Sequence, residues 1–134
     1  MFLYVHHVQY FVRNCDAMVD YLEKNFGMKP EFVGVNKHGK EAQYNVGKTQ
    51  IQIVEPTDPL SKKGQHLAKH GPGVVHVAWA VDNIQKVAQD LAANGNKMQL
   101  HEEGGTGKSE SHDYVVCDLD AASSLGVRFQ LVAA

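Results

Sequence analysis

Two stretches of this chain are near-copies of one another, and that duplication limits the folds open to it more than any other feature. Val5-His6-His7-Val8-Gln9-Tyr10-Phe11-Val12 and Val74-Val75-His76-Val77-Ala78-Trp79-Ala80-Val81 are both short β-branched and aromatic runs with a histidine near the start. Each leads to an asparagine, Asn14 or Asn83, placed as a helix N-cap, and then to a segment with apolar residues at helical spacing. His7 and His76 hold matching places. The chain therefore reads as two copies of one unit, with polar residues of both copies converging on one surface.

In the first copy, residues 3–12 read as a strand. Met18, Val19, Leu22 and Phe26 mark a helix that Gly27 ends, and strands follow over 31–36, 41–46 and 50–55. Lys37-His38-Gly39-Lys40 and Gly47-Lys48 are the turns between them. Residues 56–73, broken by Pro56, Pro59 and Pro72, form a linker with a short helix between Leu60 and His70. The second copy repeats the order. It has a strand over 74–81, a helix carrying Ile84, Val87, Ala88, Leu91 and Ala92 up to Gly95, and strands over 97–101, 113–118 and 126–132. Glu102–Ser111 reads as a long glycine-rich loop. A period of about 70 residues is too long for a solenoid and implies a duplicated domain.

Period-two alternation assigns faces. Val8, Tyr10 and Val12 alternate with His7, Gln9 and Phe11. Ile51 and Ile53 point one way and Gln52 the other; Phe129 and Leu131 likewise oppose Gln130. His7, Gln52, His76 and Gln130 are thus expected on one concave surface, with the helices behind the other face. His6 falls opposite His7. Tyr10 and Trp79 are expected in the helix-facing core, and His38, His66, His70 and His101 on the surface.

Composition removes several classes of function. With 13 basic and 15 acidic residues the net charge is −2, which gives no field for nucleic acid or an anionic membrane. No apolar run is long enough to span a bilayer, and the N-terminal run lacks the basic start and cleavage site of a signal peptide. Cys15 and Cys117 make no disulfide framework; they fit a reducing cytoplasm, and neither has a neighbour that would activate it as a nucleophile. Gly104-Gly105-Thr106-Gly107-Lys108-Ser109 fails as a phosphate loop, because the required first glycine is Glu102.

The segments VHHVQYFV, TQIQIVEPTDP, HLAKHGPGVVHVAW and GVRFQLV carry a family resemblance that extends over nearly the whole chain. It resembles the vicinal oxygen chelate superfamily of glyoxalases, bleomycin-resistance proteins and dioxygenases, nearest to methylmalonyl-CoA epimerase and glyoxalase I. The resemblance implies an α+β domain of two tandem βαβββ modules forming a cupped eight-stranded mixed sheet with helices on its convex side. Module one is then 1–55, the linker 56–73 and module two 74–134, all within a single domain, 1–134. It also implies a divalent metal (Zn, Co, Ni, Mn or Fe) held by His7, Gln52, His76 and Gln130. In the family the last position is normally glutamate. Gln130 makes this ligand set wholly neutral, and amide oxygens are poor donors to such metals.

The implied chemistry is proton transfer next to a metal-chelated carbonyl or thioester, an isomerase or lyase activity on an acyl-CoA or a hemithioacetal. Its base must reach the carbon acid. Some epimerases carry a glutamate in the third strand; the aligned position here is Ala42, and Glu41 is the nearest carboxylate. Tyr44, His112 and Tyr114 are further candidates to line a substrate cavity. Glu102 or Glu103 is an alternative source of a carboxylate, and Lys62 and Lys63 are candidates to meet a CoA phosphate. Two rival functions remain, a metal-free protein that sequesters a small ligand, and a dioxygenase-like protein with non-haem iron. The second lacks the carboxylate of an iron-binding triad at these four positions. A cytoplasmic homodimer is the expected assembly.

Overall fold

The computed structural model describes residues 1–37, 39–98, 106–108 and 114–134, with Thr106–Lys108 as backbone alone. The fold is α+β, a mixed sheet with three helices among the described residues. The chain divides into two compact units, His7–Val75, and Met1–His6 together with His76–Ala134.

In the unit His7–Val75, the second half of β1 (Phe2–Phe11) runs into α1 (Cys15–Phe26). Asn14 caps this helix as its sequence predicts, its Oδ1 accepting from the Ala17 N–H at 2.9 Å. Gly27 ends it with φ 67°, a left-handed conformation in which its N–H bonds back to the Glu23 carbonyl. Strands β2 (Phe32–Asn36), β3 (Gly39–Val46) and β4 (Thr49–Pro56) follow, then α2 (Lys62–His70), capped by Ser61. Gly39 and Lys40 belong to β3 and not to the preceding turn. The strand order is β2-β3-β4-β1, antiparallel throughout except that β1 lies parallel to β4.

One face of this sheet packs on α1 through Tyr10, Val12, Cys15, Ala42, Tyr44, Ile51 and Ile53 with Met18, Val19 and Leu22. Alternation, capping and helical spacing all agree here, so the local sequence and the tertiary packing select the same structure. The opposite face is polar along most of its length. Its far end is closed by Phe11, Val54 and Val75, against which Leu67 of α2 packs.

In the other unit, β5 (Gly73–Val81) continues from His76 and leads to α3 (Ile84–Ala93). Asn83 Oδ1 caps that helix by accepting from the Lys86 N–H at 3.1 Å. Strands β6 (Thr106–Lys108), β7 (Val115–Asp118) and β8 (Phe129–Ala133) complete the unit in the order β5-β8-β7-β6. Here β5 and β8 are parallel, and the other pairs antiparallel. Val81, Ile84, Ala88, Cys117, Leu119 and Leu131 form its core, with Trp79 and Phe129 packed against it. Tyr10 and Trp79 both lie on core-facing sides, as the alternation predicts.

Two further local expectations are corrected. Thr106–Lys108, read as part of a loop, pairs as a strand with Val115–Cys117; its glycine and lysine mask a short ladder. His66, expected at the surface, is half-buried, its ring edge-on to Phe11 at 5.5 Å, because α2 lies across the end of the polar face. The expected strand over 97–101 is represented by one bridge, Met98 to Leu119, and its remainder from residue 99 lies outside the described residues, as do His38 and His101. No helix among the described residues is long and apolar enough to cross a membrane.

Candidate functional site

Strand register decides which side chains share a face. In the β1–β4 ladder His7 pairs with Gln50, Gln9 with Gln52 and Phe11 with Val54. In the β3–β4 ladder Asn45 pairs with Gln50, Gln43 with Gln52 and Glu41 with Val54. Cross-strand partners point to the same side of a sheet. The face away from α1 therefore carries three rows across β3, β4 and β1. They are Asn45–Gln50–His7, Gln43–Gln52–Gln9 and Glu41–Val54–Phe11. His7 and Gln52 are on this face as the sequence predicts, and both are fully buried.

The same register places Glu41 and Ala42. Ala42 pairs with Ile53 and lies in the α1 core, whereas Glu41 shares the polar face and is 5% exposed. Glu41 Oε1 accepts from Gln43 Nε2 at 2.9 Å, and Gln52 Oε1 accepts from Gln9 Nε2 at 3.2 Å. A buried carboxylate held by an amide, among further amides and an imidazole, can accept a proton and can orient a polar ligand. Gln9 and Gln43 are not among the residues singled out from sequence. The signal for them is present, because Gln43 lies two residues from Glu41 and Gln9 two from His7, the spacing of one strand face.

Tyr44 is a correction. It pairs with Ile51 on the opposite face and is buried beneath α1, so it lines no polar surface. Its hydroxyl has no hydrogen-bond partner among the described residues. Burial, with the neighbouring Cys15 and Glu23, raises the pKa of its phenol.

In the other unit Ala78 pairs with Gln130 and Ala80 with Val132, while Asp118 pairs with Gln130 and Val116 with Val132. Gln130 and Asp118 thus share the face opposite Trp79 and Leu131, and alternation along β5 puts His76 on the same side as Ala78. Gln130 Nε2 donates to Asp118 Oδ1 at 2.9 Å. Tyr114 packs on this face against Ala78, Val116 and Val132, its ring 4.9 Å from that of His6. Asp118 is the residue that sequence reasoning misses, since only the β7–β8 register brings it to Gln130. His112, Glu102 and Glu103 lie outside the described residues.

No group of three His, Cys, Asp or Glu side chains positioned for a metal occurs among the described residues. Two of the four expected ligands, Gln52 and Gln130, are amides, which that grouping does not include. Within the unit His7–Val75, His7 and Gln52 offer an imidazole and an amide oxygen, and within the other unit His76 and Gln130 offer the same pair, donor types that a divalent ion accepts. Asp118 adds beside Gln130 the negative charge that the four lack. The thiols are unsuited to such a role. Burial raises the pKa of both, that of Cys117 to about 11, so they stay protonated near neutrality.

Comparison with known proteins agrees with this fold. Methylmalonyl-CoA epimerase from Mycobacterium tuberculosis superposes with a TM-score of 0.84 at 22% identity, covering 98% of this chain and 88% of the other. A variant of the Streptomyces coelicolor methylmalonyl-CoA epimerase, in complex with 2-nitronate-propionyl-CoA, gives 0.86 at 22% identity, covering 100% and 96%. A third methylmalonyl-CoA epimerase structure gives 0.83 at 25% identity, covering 99% and 96%. In sequence, 4-hydroxyphenylpyruvate dioxygenase of Sus scrofa is 30% identical over 100 residues, which is 70% of this chain. The chain spans about a quarter of the length of that relative. Residues 6–116 match the family model described as glyoxalase/bleomycin resistance protein/dioxygenase superfamily, and the chain belongs to that superfamily.

Proposed function

We propose that the chain is an isomerase-type enzyme of the methylmalonyl-CoA epimerase kind, which moves a proton on the carbon next to a thioester carbonyl. The observation that carries this reading is Glu41, a buried carboxylate anchored by Gln43 on the face that holds His7 and Gln52. Glu41 takes the α-proton, and Gln43, donating to its Oε1, holds the carboxylate in place. Removing the proton leaves negative charge on the thioester oxygen, which preorganised donors must meet. A divalent ion bound by His7, Gln52, His76 and Gln130 would supply Lewis-acid stabilisation there. The related structures that hold 2-nitronate-propionyl-CoA and methylmalonyl-CoA support an acyl-CoA substrate. Family resemblance also supports the duplicated βαβββ arrangement and a homodimer.

The test is exchange of the α-proton of methylmalonyl-CoA with deuterated water, followed by NMR. Wild type should exchange it. Glu41→Gln should lower the rate by about 10²-fold or more with the melting temperature little changed. Exchange at the wild-type rate in the variant would remove Glu41 as the base, and none in wild type would remove the epimerase reading.

A second reading is a metal-free protein that sequesters a small ligand. It draws on the Gln9–Gln52 hydrogen bond, which already engages the oxygen a metal would use. Stoichiometric uptake of cobalt or zinc, lost in His76→Ala, would count against it.

A further inference from the structure

Asp118 and Gln130 stand directly opposite one another on adjacent strands, both half-buried, with Oδ1 of the one 2.9 Å from Nε2 of the other. An ionised carboxylate only accepts hydrogen bonds, so the amide must turn its NH2 towards Asp118. Its Oε1 is thereby directed elsewhere and cannot exchange places with the nitrogen without setting oxygen against oxygen. Without Asp118 the amide could present either end. The pair as a whole carries one negative charge and one oriented oxygen, which is what a single glutamate at position 130 would carry.

We propose that Asp118 and Gln130 act as one acidic residue divided between two strands, in which Gln130 Oε1 is the metal donor and Asp118 is a positioning residue that fixes its direction and supplies the charge. This rests on the metal-dependent part of the function proposed above. It explains how a chain with glutamine in its last strand keeps a metal site. The amide nitrogen, hydrogen-bonded to an anion, passes electron density to its own oxygen and makes it a better donor, as partners behind metal-bound side chains commonly do.

The test is titration of the metal-free protein with cobalt(II), by calorimetry and by the visible absorption of the bound ion. Wild type, Asp118→Asn, and Asp118→Asn combined with Gln130→Glu are compared, with circular dichroism as the check on folding. Asp118→Asn should bind cobalt about tenfold or more weakly, and the double variant, which returns the charge at position 130, should recover most of that loss. Unchanged affinity in Asp118→Asn, or a loss that Gln130→Glu does not restore, would overturn the proposal while leaving metal binding by the chain intact. No cobalt uptake by wild type would instead overturn the metal-dependent reading, and this inference with it.

Discussion

Residues 41–44 contain two opposite readings separated by one position. Glu41 and Gln43 share a face with Gln52, whereas Ala42 and Tyr44 are packed under α1. The alternation of polar with apolar side chains in Glu41-Ala42-Gln43-Tyr44 is enough to assign these faces, and applied strictly it puts Tyr44 on the core side with Ala42. His7 and Gln52 are legible for the same reason. Asp118 is not, because its meeting with Gln130 depends on how the ten residues between β7 and β8 return the chain, and no local pattern encodes that register. The placement of Tyr44 gives a direct prediction. Its buried hydroxyl lacks a partner among the described residues, so Tyr44→Phe should leave proton exchange unchanged and either preserve stability or raise it by up to about 1 kcal/mol, read by denaturant unfolding. A large loss of activity would return the phenol to the site.

At the level of elements, the helix ends are the clearest part of the sequence. Asn14 and Asn83 cap α1 and α3 with side-chain oxygens, and Gly27 takes the left-handed turn that ends α1. The role of α2 is less visible. Three prolines mark its segment as a linker, but only the packed structure shows Leu67 closing the end of the polar face over Phe11, Val54 and Val75. This docking depends on Gly64, which is buried in the first turn of α2; a Cβ there would run into the Asp58 carbonyl oxygen. Gly64→Ala should therefore destabilise the protein by about 1–3 kcal/mol despite alanine's better helix propensity. Protease cleavage at 56–73 should also become faster. Equal or greater stability would mean that α2 shifts without cost.

For the molecule as a whole, the α+β class is legible in the strand and helix patterning, and family membership in the resemblance of particular segments, with residues 6–116 matching the superfamily. Stability should respond to alkaline pH through the buried thiols. Cys117 is pushed up to about 11 by burial, with the charge of Asp118 adding to the shift, and Cys15 is raised by burial and by Asp16 and Glu55. In the unfolded chain these thiols ionise at ordinary values, so the unfolded state loses protons first. Stability is then full below about pH 9 and falls as the pH climbs towards 11, by on the order of 2 kcal/mol for Cys117. Thermal melts across that range should show the decline, and Cys117→Ala should flatten it from a lower starting point. An equally steep decline in the variant would assign it to other groups.

Within the unit His7–Val75, the side chains that hold the sheet to α1 and those on the polar face away from it occupy alternate positions on the same strands. Chemistry and architecture are thereby interleaved in sequence yet separate in space. Positions 7, 9, 41, 43, 50 and 52 form a set that can be rewritten together, by selection or by an engineer, while the intervening residues keep the fold. Inserting one residue into β3, by contrast, would exchange the two sets along that strand, sending carboxylate into the core and hydrocarbon onto the polar face. A scaffold of this kind can change the chemistry of its polar face by substitution far more readily than by insertion.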